Sequence, residues 1–288
     1  MVGGQFDSLL GAVFVTEPGK TFNHGGHGVN RGMSSSEDIL SLTAPRADAR
    51  VAYGGDSNQF LDLRSPSGKG PHGLVISIHG GYWRAKYDLE YMGHLCAALT
   101  AKGVATANLE YRRVGNAGGG WPGTFADARA GFQFLLQNSR QYALDLRRVV
   151  VIGHSAGGQL GLCLAAHETG VKAVISLAGV VDLQRAYSLH LSNDAVVEFL
   201  GGTPAEVADH YREADPLKLA IGARQLLVHG ADDDIVPPAF SRDYVGAKQK
   251  MKEDARLVEI AGAGHFEVVD PRSGAGKDVE KIVKDAVA

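Results

Sequence analysis

Ser155 lies at the centre of residues 153–157, Gly-His-Ser-Ala-Gly, with a glycine two positions away on either side. Branched apolar residues precede this motif and a largely apolar stretch follows it, which predicts a buried strand, a sharp turn and a buried helix. Glycine has no Cβ, so the chain can bend tightly and leave the serine side chain projecting from the turn. Amides at the start of the helix would stabilise negative charge beside the hydroxyl. These features indicate a nucleophile for acyl transfer.

A Gly-x-Ser-x-Gly turn alone is equally compatible with an ordinary loop, so this interpretation depends on partner groups elsewhere. Residues 79–83, His-Gly-Gly-Tyr-Trp, follow a short apolar strand upstream of the serine. Glycines there allow backbone N–H groups to turn toward a developing negative charge. We predict that the amides of Gly81, Tyr82 and Ala156 form an oxyanion hole, and that His79 has a structural role in this loop.

Three consecutive aspartates, Asp232, Asp233 and Asp234, follow a later apolar strand. A serine nucleophile needs a buried carboxylate that orients the base histidine and stabilises its imidazolium. The register set by His-Gly before the three residues and Val-Pro after them favours Asp233 for this role. Asp232 and Asp234 stay open as alternatives, because an acidic turn is more often simply solvated.

His265 lies in a glycine-rich loop after the last predicted strand, and it is the only histidine downstream of the aspartates. With it the chain order serine, acid, histidine is complete, so we predict that His265 is the general base. His154, inside the serine motif, and His229, at a strand end, are predicted to pack or donate hydrogen bonds rather than act as second bases.

The elements that must position these groups follow from the periodicity. From residue 74 onward short apolar segments alternate with segments of helical period, which predicts an α/β fold with a mostly parallel central sheet and helices on both faces. Segments 50–54 and 59–63 predict an antiparallel hairpin at the sheet edge. A closing helix is expected near 276–287. The predicted parallel strands are residues 74–78, 104–109, 149–152, 171–177, 224–229 and 257–260.

The segment 182–221 contains helical pieces but no predicted strand. Because open α/β proteins bind ligands at the carboxyl edge of the sheet, we predict that this segment is a small lid there. Residues 33–288 are expected to form a single domain, and residues 1–32 a flexible extension without the pattern of a secretory signal. His24 and His27 in that extension are assigned no metal-binding role.

The composition excludes several partners. The 29 basic and 32 acidic residues give a net charge of -3, so no footprint for nucleic acid or an anionic membrane is present. No stretch of sequence is long enough to span a bilayer. Cys96 and Cys163 fall in apolar helical patterns, which is typical of small core residues and compatible with a reducing, cytoplasmic setting. The substrate is expected to be small and not polyanionic.

The strand pattern, the serine motif and the Ser–Asp–His order resemble the α/β-hydrolase superfamily from about Arg50 onward. Within it, the loop at 79–83 and Gly-His-Phe-Glu-Val-Val at 264–269 resemble the kynurenine formamidases, or arylformamidases, relatives of the hormone-sensitive-lipase-like esterases. The resemblance implies the α/β-hydrolase fold and a carboxylesterase or arylformamidase activity.

These observations together predict a serine hydrolase, without metal or cofactor, that cleaves a small ester or activated amide through an acyl-enzyme. Trp83 and Trp121, with Tyr82, are predicted to line a pocket suited to an aryl group; packing is an equal alternative for Trp121. An aminopeptidase-like serine peptidase and a non-catalytic ligand receptor on the same fold stay open, as does the oligomeric state, a homodimer included.

Overall fold

Eight strands form one sheet in the computed structural model, which describes residues 36–288. The extension predicted over residues 1–32, with His24 and His27, lies outside the described residues. The central strands are buried on both faces, which explains their continuous branched apolar sequences. In chain order the strands are β1 (Ala49–Ala52), β2 (Phe60–Arg64), β3 (His72–Ile78), β4 (Ala105–Leu109), β5 (Leu144–His154), β6 (Ala173–Leu177), β7 (Arg224–Gly230) and β8 (Ala255–Ile260).

The strand order is β1-β2-β4-β3-β5-β6-β7-β8. β1 and β2 form the predicted antiparallel hairpin at the edge, and β2 also runs antiparallel to β4. Every later pairing is parallel, so the prediction of a mostly parallel sheet is confirmed. Because β3, β5 and β7 run in the same direction, the loops that follow them meet at one edge of the sheet. Those three loops carry the predicted oxyanion segment, Ser155 and Asp233.

Helices cover both faces of the sheet. Residues Val279, Val283 and Val287, four apart, form the buried face of the last helix, whose start is capped by Ser273. This helix packs with the first helix on one face, while the second and third helices cover the other. The helices are α1 (Met92–Ala101), α2 (Gly123–Gln137), α3 (Ala156–His167), α4 (Leu183–Ser188), α5 (Ala195–Leu200), α6 (Ala208–Ala214), α7 (Ala239–Lys250) and α8 (Gly274–Val287).

The two cysteines are buried and free, as the apolar pattern predicted. Cys96 lies on the buried face of α1, and the Cys163 thiol contacts the carbonyl of Ala214 at 3.2 Å. Over residues 36–288, no helix combines the length and the apolar character needed to cross a bilayer.

The segment 182–221 forms α4, α5 and α6 and no strand, as predicted. Asp215, directly after α6, is 1% exposed and accepts a hydrogen bond from the amide of Leu217 at 3.1 Å. Burial, and next the charge of Asp182, raise the pKa of Asp215 to about 7. The folded protein therefore holds this carboxyl in its neutral form at mildly acidic pH.

Asp215→Asn is expected to gain stability relative to the wild type as the pH rises. Below pH about 4 the carboxyl is protonated in the folded and unfolded chains alike. Between pH about 4 and the folded pKa of about 7, only the unfolded chain releases the proton, so the wild-type contribution to stability is lost across this window. Urea unfolding of both proteins at several pH values between 4 and 8 measures the difference. A difference independent of pH, matching that of the exposed Asp278→Asn control, would contradict it.

Candidate active site

Ser155 lies between the end of β5 and the start of α3 in a strained backbone conformation. Its φ of 55° and ψ of -120° lie where non-glycine residues are rare, and its amide donates to the carbonyl of Leu177 at 2.8 Å. The glycines on either side permit close approach of the chain: a Cβ on Gly153 would lie 2.0 Å from the carbonyl oxygen of Gly157. The side chain is therefore presented at the turn above the first amides of α3.

Gly157→Ala is expected to destabilise the protein by about 3 kcal/mol or more, because the new methyl group has no room. Its Cβ would lie 2.1 Å from the carbonyl oxygen of Ile78, a backbone atom of the neighbouring strand that cannot rotate away. Gly246→Ala, inside α7, is the matched control, since its Cβ would meet nothing within 4 Å. That change should stabilise by about 0.5–1 kcal/mol through helix propensity. Urea unfolding measures both, and equal effects would refute the steric explanation.

The structure brings Asp233 and His265 together. Nδ1 of His265 donates to Oδ2 of Asp233 at 2.7 Å, and the two side chains are buried. Because a carboxylate only accepts hydrogen bonds, the proton of the neutral ring is held on Nδ1 and the lone pair on Nε2. Nε2 is the nitrogen that a general base uses. Ser155 and His265 both line the same cleft.

Asp233 is the one of the three aspartates whose carboxylate is buried and held by further contacts. Its Oδ1 accepts the backbone amides of Ile235 and Val236 at 2.9 Å each, and His229 approaches Oδ2 at 3.2 Å. Burial by itself would raise the pKa of Asp233, but the hydrogen bonds from His229 and His265 outweigh it and hold that pKa well below its usual range. Asp232 and Asp234 are exposed.

The loop after β3 lies directly against the serine. A Cβ on Gly80 would come within 2.8 Å of the Ser155 Cβ, so only glycine fits there. Gly81 and Tyr82 have positive φ values of 103° and 49°, which turn their peptide units out of the strand direction. Within the described residues, neither of their amides donates a hydrogen bond. Ala156 opens α3, where first-turn amides lack partners inside the helix.

His79 anchors this loop from below. Its Nδ1 lies 2.8 Å from the carbonyl oxygen of Gly80, and its Nε2 lies 2.9 Å from Oε1 of Glu110. The ring stacks on Tyr111 with centroids 4.4 Å apart. Burial would raise the pKa of Glu110, but His79 and then Arg113 lower it overall. The buried carboxylate therefore stays ionised and holds the loop in place.

The cleft above Ser155 has a volume of about 220 Å³. Ser155, at its base, is 2% exposed. Among the lining residues that the structure describes, none is acidic, lysine or arginine, so the walls are apolar or aromatic apart from Ser155, His154 and His265. The walls are formed by Leu40, Tyr82, Tyr87, Tyr91, Ile235 and Phe266.

A family model described as BD-FAE matches residues 61–247, well over half of the chain. The chain belongs to the BD-FAE family. The match begins in β2 and ends in α7, so it includes the loop after β3, Ser155 and Asp233. His265 lies beyond its end.

Curated relatives of this BD-FAE chain are distant in sequence. The chain is 26% identical over 266 residues to a probable isoprenylcysteine alpha-carbonyl methylesterase of Oryza sativa subsp. japonica; this match covers 83% of the chain and 62% of the rice protein. It is 24% identical over 251 residues to a kynurenine formamidase of Danio rerio, covering 82% of the chain and 80% of that protein. The chain thus spans less than two thirds of the rice relative's length.

A solved structure of a truncated carbohydrate esterase from gut microbiota has a TM-score of 0.73 against the BD-FAE chain at 21% identity, covering 85% of this chain and 97% of that one. The likeness, with the mostly parallel sheet covered by helices, shows the α/β-hydrolase fold. The predicted fold class is therefore confirmed.

The two tryptophans of this BD-FAE chain are not among the residues lining the cleft. Trp83, predicted to line a substrate pocket, is 1% exposed; its Nε1 donates to Gln159 and its ring stacks on Phe199 at 4.4 Å. Trp121, predicted with it, stacks on Phe125 at 5.2 Å. These contacts correct the pocket prediction for Trp83, whose indole packs against α3 and α5, and for Trp121 they agree with the packing alternative, because its indole stacks on α2.

The segment 182–221, predicted as a lid, contacts the end of the loop that follows β3. Phe199 of its helix α5 stacks on Trp83, and Glu198 accepts hydrogen bonds from Arg84, the next residue along the chain. No residue of 182–221 is among the described residues that line the cleft. The segment therefore contacts Trp83 and Arg84, at the end of the loop that follows β3.

Sequence reasoning missed several wall residues of the BD-FAE site. Ile235 and Phe266 follow the predicted acid and base closely in the chain, and this adjacency could have identified them. Tyr91 belongs to no recognisable motif: it precedes α1 in an ordinary helix-start sequence, and its place beside Ser155 arises only from the packing of α1 on the sheet.

Proposed function

We propose that this chain is a serine hydrolase that cleaves small, uncharged carboxylic esters through an acyl-enzyme. One observation carries the proposal: His265, which is hydrogen-bonded to Asp233 at 2.7 Å, lines the same cleft as Ser155. The unpaired amides of the adjoining loop supply what the arrangement further requires, a site for the oxyanion.

In the proposed mechanism the Ser155 hydroxyl attacks the ester carbonyl while Nε2 of His265 accepts its proton. The carbonyl electron pair moves to oxygen, where the amides of Gly81, Tyr82 and Ala156 stabilise the negative charge. Collapse expels the alcohol, which takes the proton from Nε2. Water then attacks the acyl-serine by the same proton route and releases the carboxylic acid. Asp233 stays ionised throughout and stabilises the imidazolium.

The lining of the cleft supports an uncharged substrate. A substrate ammonium or carboxylate buried in about 220 Å³ would need an ion partner, and the described walls offer only apolar and aromatic groups beside Ser155, His154 and His265. An aminopeptidase would need acidic groups for the free amine. The activities named for the relatives, an isoprenylcysteine methylesterase and a kynurenine formamidase, share attack at a carbonyl carbon.

A formamidase activity is the second candidate, and the relative from Danio rerio favours it because its alignment covers most of both chains. We therefore propose a comparison of purified protein on an aryl acetate, on N-formylkynurenine and on an aminoacyl anilide, each with Ser155→Ala alongside. We expect the highest Ser155-dependent kcat/KM on the ester. A preference for the formamide would make the chain a formamidase, and one for the anilide a peptidase. If none of the three substrates were turned over, a non-catalytic ligand receptor on the same fold would be favoured.

A further inference from the structure

Two buried side chains that the proposed mechanism does not use, Tyr91 and His154, lie between the two loops that carry its working parts. We propose that they are positioning residues, forming a hydrogen-bond chain that fixes the oxyanion loop and the His265 loop relative to each other. This inference rests on the proposed function. Tyr91 is 5% exposed and His154 is 1% exposed.

The hydrogen-bond chain from the oxyanion loop to the His265 loop consists of three hydrogen bonds. The Gly80 amide lies 2.7 Å from the Tyr91 hydroxyl oxygen, that oxygen lies 2.8 Å from Nδ1 of His154, and Nε2 of His154 lies 3.0 Å from the carbonyl oxygen of His265. One end is therefore the backbone of the oxyanion loop. The other end is the backbone of the general base itself.

The direction of donation follows from the two ends. The carbonyl of His265 can only accept, so Nε2 of His154 carries the proton and the neutral ring offers Nδ1 as an acceptor. The Tyr91 hydroxyl then accepts from the Gly80 amide and donates to Nδ1. Every polar atom of the chain thus has a partner of the right kind, and reversing any one bond would leave two donors or two acceptors facing each other.

Burial, and next the adjacent His265 ring, lower the pKa of His154 well below its usual value. The two rings lie 4.6 Å apart between centroids. His154 therefore stays neutral while His265 takes up the proton of Ser155, and no second positive charge opposes that step. This excludes His154 as a competing base and suits it to a role as a fixed donor.

Both loops need such a support because of their sequences. Residues 79–83 contain two consecutive glycines and residues 261–265 contain two more, so their backbones are intrinsically permissive. The Gly80 peptide directly precedes the proposed donors of Gly81 and Tyr82, and a shift of about 1 Å in such groups can cost about 100-fold in rate. Tyr91 and His154 connect both loops, through hydrogen bonds, to the turn between β5 and α3 that carries Ser155.

Tyr91→Phe tests the chain, because it removes one oxygen and keeps the ring contacts with His154 and Phe266. We expect kcat on the ester to fall about 10-fold or more with KM changed less than about 2-fold. Tyr244→Phe is the matched control: its hydroxyl is equally buried and donates to Gln225 at 2.6 Å, away from the cleft. Equal kcat values for the two variants would overturn the proposal.

A double-mutant cycle with His154→Gln tests whether the two residues act together. Glutamine can still donate to the His265 carbonyl but cannot reproduce both ring nitrogens. If Tyr91 and His154 form one chain, the loss in the double variant is smaller than the product of the two single losses. Fully multiplicative losses would show that they act independently, contrary to the proposal.

Amide hydrogen exchange tests the chain without any substrate, so its failure is distinguishable from failure of the proposed function. In Tyr91→Phe, the segments 79–83 and 261–266 should both exchange faster than in the wild type, whereas Tyr244→Phe should leave both unchanged. Faster exchange in the first segment alone would overturn the coupling between the loops. Absence of Ser155-dependent turnover, together with coupled exchange, would overturn the proposed function only.

Discussion

Ser155→Ala is expected to lower kcat for ester hydrolysis by at least about 10⁴-fold, because it removes the atom that forms the acyl-enzyme. Alanine keeps the positive φ of 55° and the backbone hydrogen bond to Leu177, so the turn itself is preserved. We therefore expect the midpoint of thermal unfolding to change little. The residual rate would come from substrate binding and from the oxyanion amides alone.

Steady-state kinetics on an aryl acetate, with active-site titration by a slowly deacylating ester, measures this effect. The titration should release one equivalent of phenol from the wild type and none from the variant. Ser188→Ala, at an exposed serine at the end of α4, provides the control and should behave as the wild type. If Ser155→Ala retained the burst, another nucleophile would have to be sought.

Asp233→Asn is expected to lower kcat by about 10⁴-fold through the tautomer of His265. Oδ1 of the wild-type carboxylate accepts two backbone amides, so the asparagine amide oxygen takes this position. Its NH₂ group then faces Nδ1 of His265 and Nε2 of His229, where Oδ2 accepted before. The His265 ring must place its proton on Nε2 to present an acceptor at Nδ1. It can then no longer accept the proton of Ser155.

The neighbouring aspartates make this prediction sharp. Asp232→Asn and Asp234→Asn change the same charge one residue away at exposed positions, and each should keep kcat within about 2-fold of the wild type. Kinetics on the three variants in parallel decides the assignment. A loss at Asp232 or Asp234 as large as that at Asp233 would show that the acid has been misassigned.

The lowered pKa of Asp233 can also be tested through the pH dependence of stability. Its folded pKa is lowered, so its contribution to stability is present above the unfolded pKa of about 4 and is lost as the pH falls further. The stability difference between the wild type and Asp233→Asn should therefore shrink below pH about 4, the reverse of the trend expected for Asp215→Asn.

The sequence by itself determined the parts of this protein that depend on local pattern. Alternating apolar strands and amphipathic helices predict the sheet and its parallel core, because strands buried on both faces must be continuously apolar. The glycines around Ser155 predict the sharp turn, because the approach of Gly153 to Gly157 is a contact between near neighbours in the chain. The predicted chain order of serine, acid and histidine follows from motifs at successive strand ends.

Only the tertiary structure decided the contacts between residues far apart in the chain. The register along the chain already favoured Asp233 among the three aspartates, but its hydrogen bond with His265, 32 residues away, arises only from the way the loops after β7 and β8 meet. Helix α7 was not predicted, although Phe240 and Tyr244 on it pack against the sheet.

Trp83 and Tyr91 also show that a position in the chain does not reveal whether a residue lines the cleft. Trp83 is the last residue of the proposed oxyanion loop, yet its ring packs in the core against Phe199. Tyr91 belongs to no motif, yet it lines the cleft together with Ser155. Their positions depend on how α1 and α5 pack against the sheet. Such packing is set by shape complementarity over the whole core, a property that spacing along the chain does not encode.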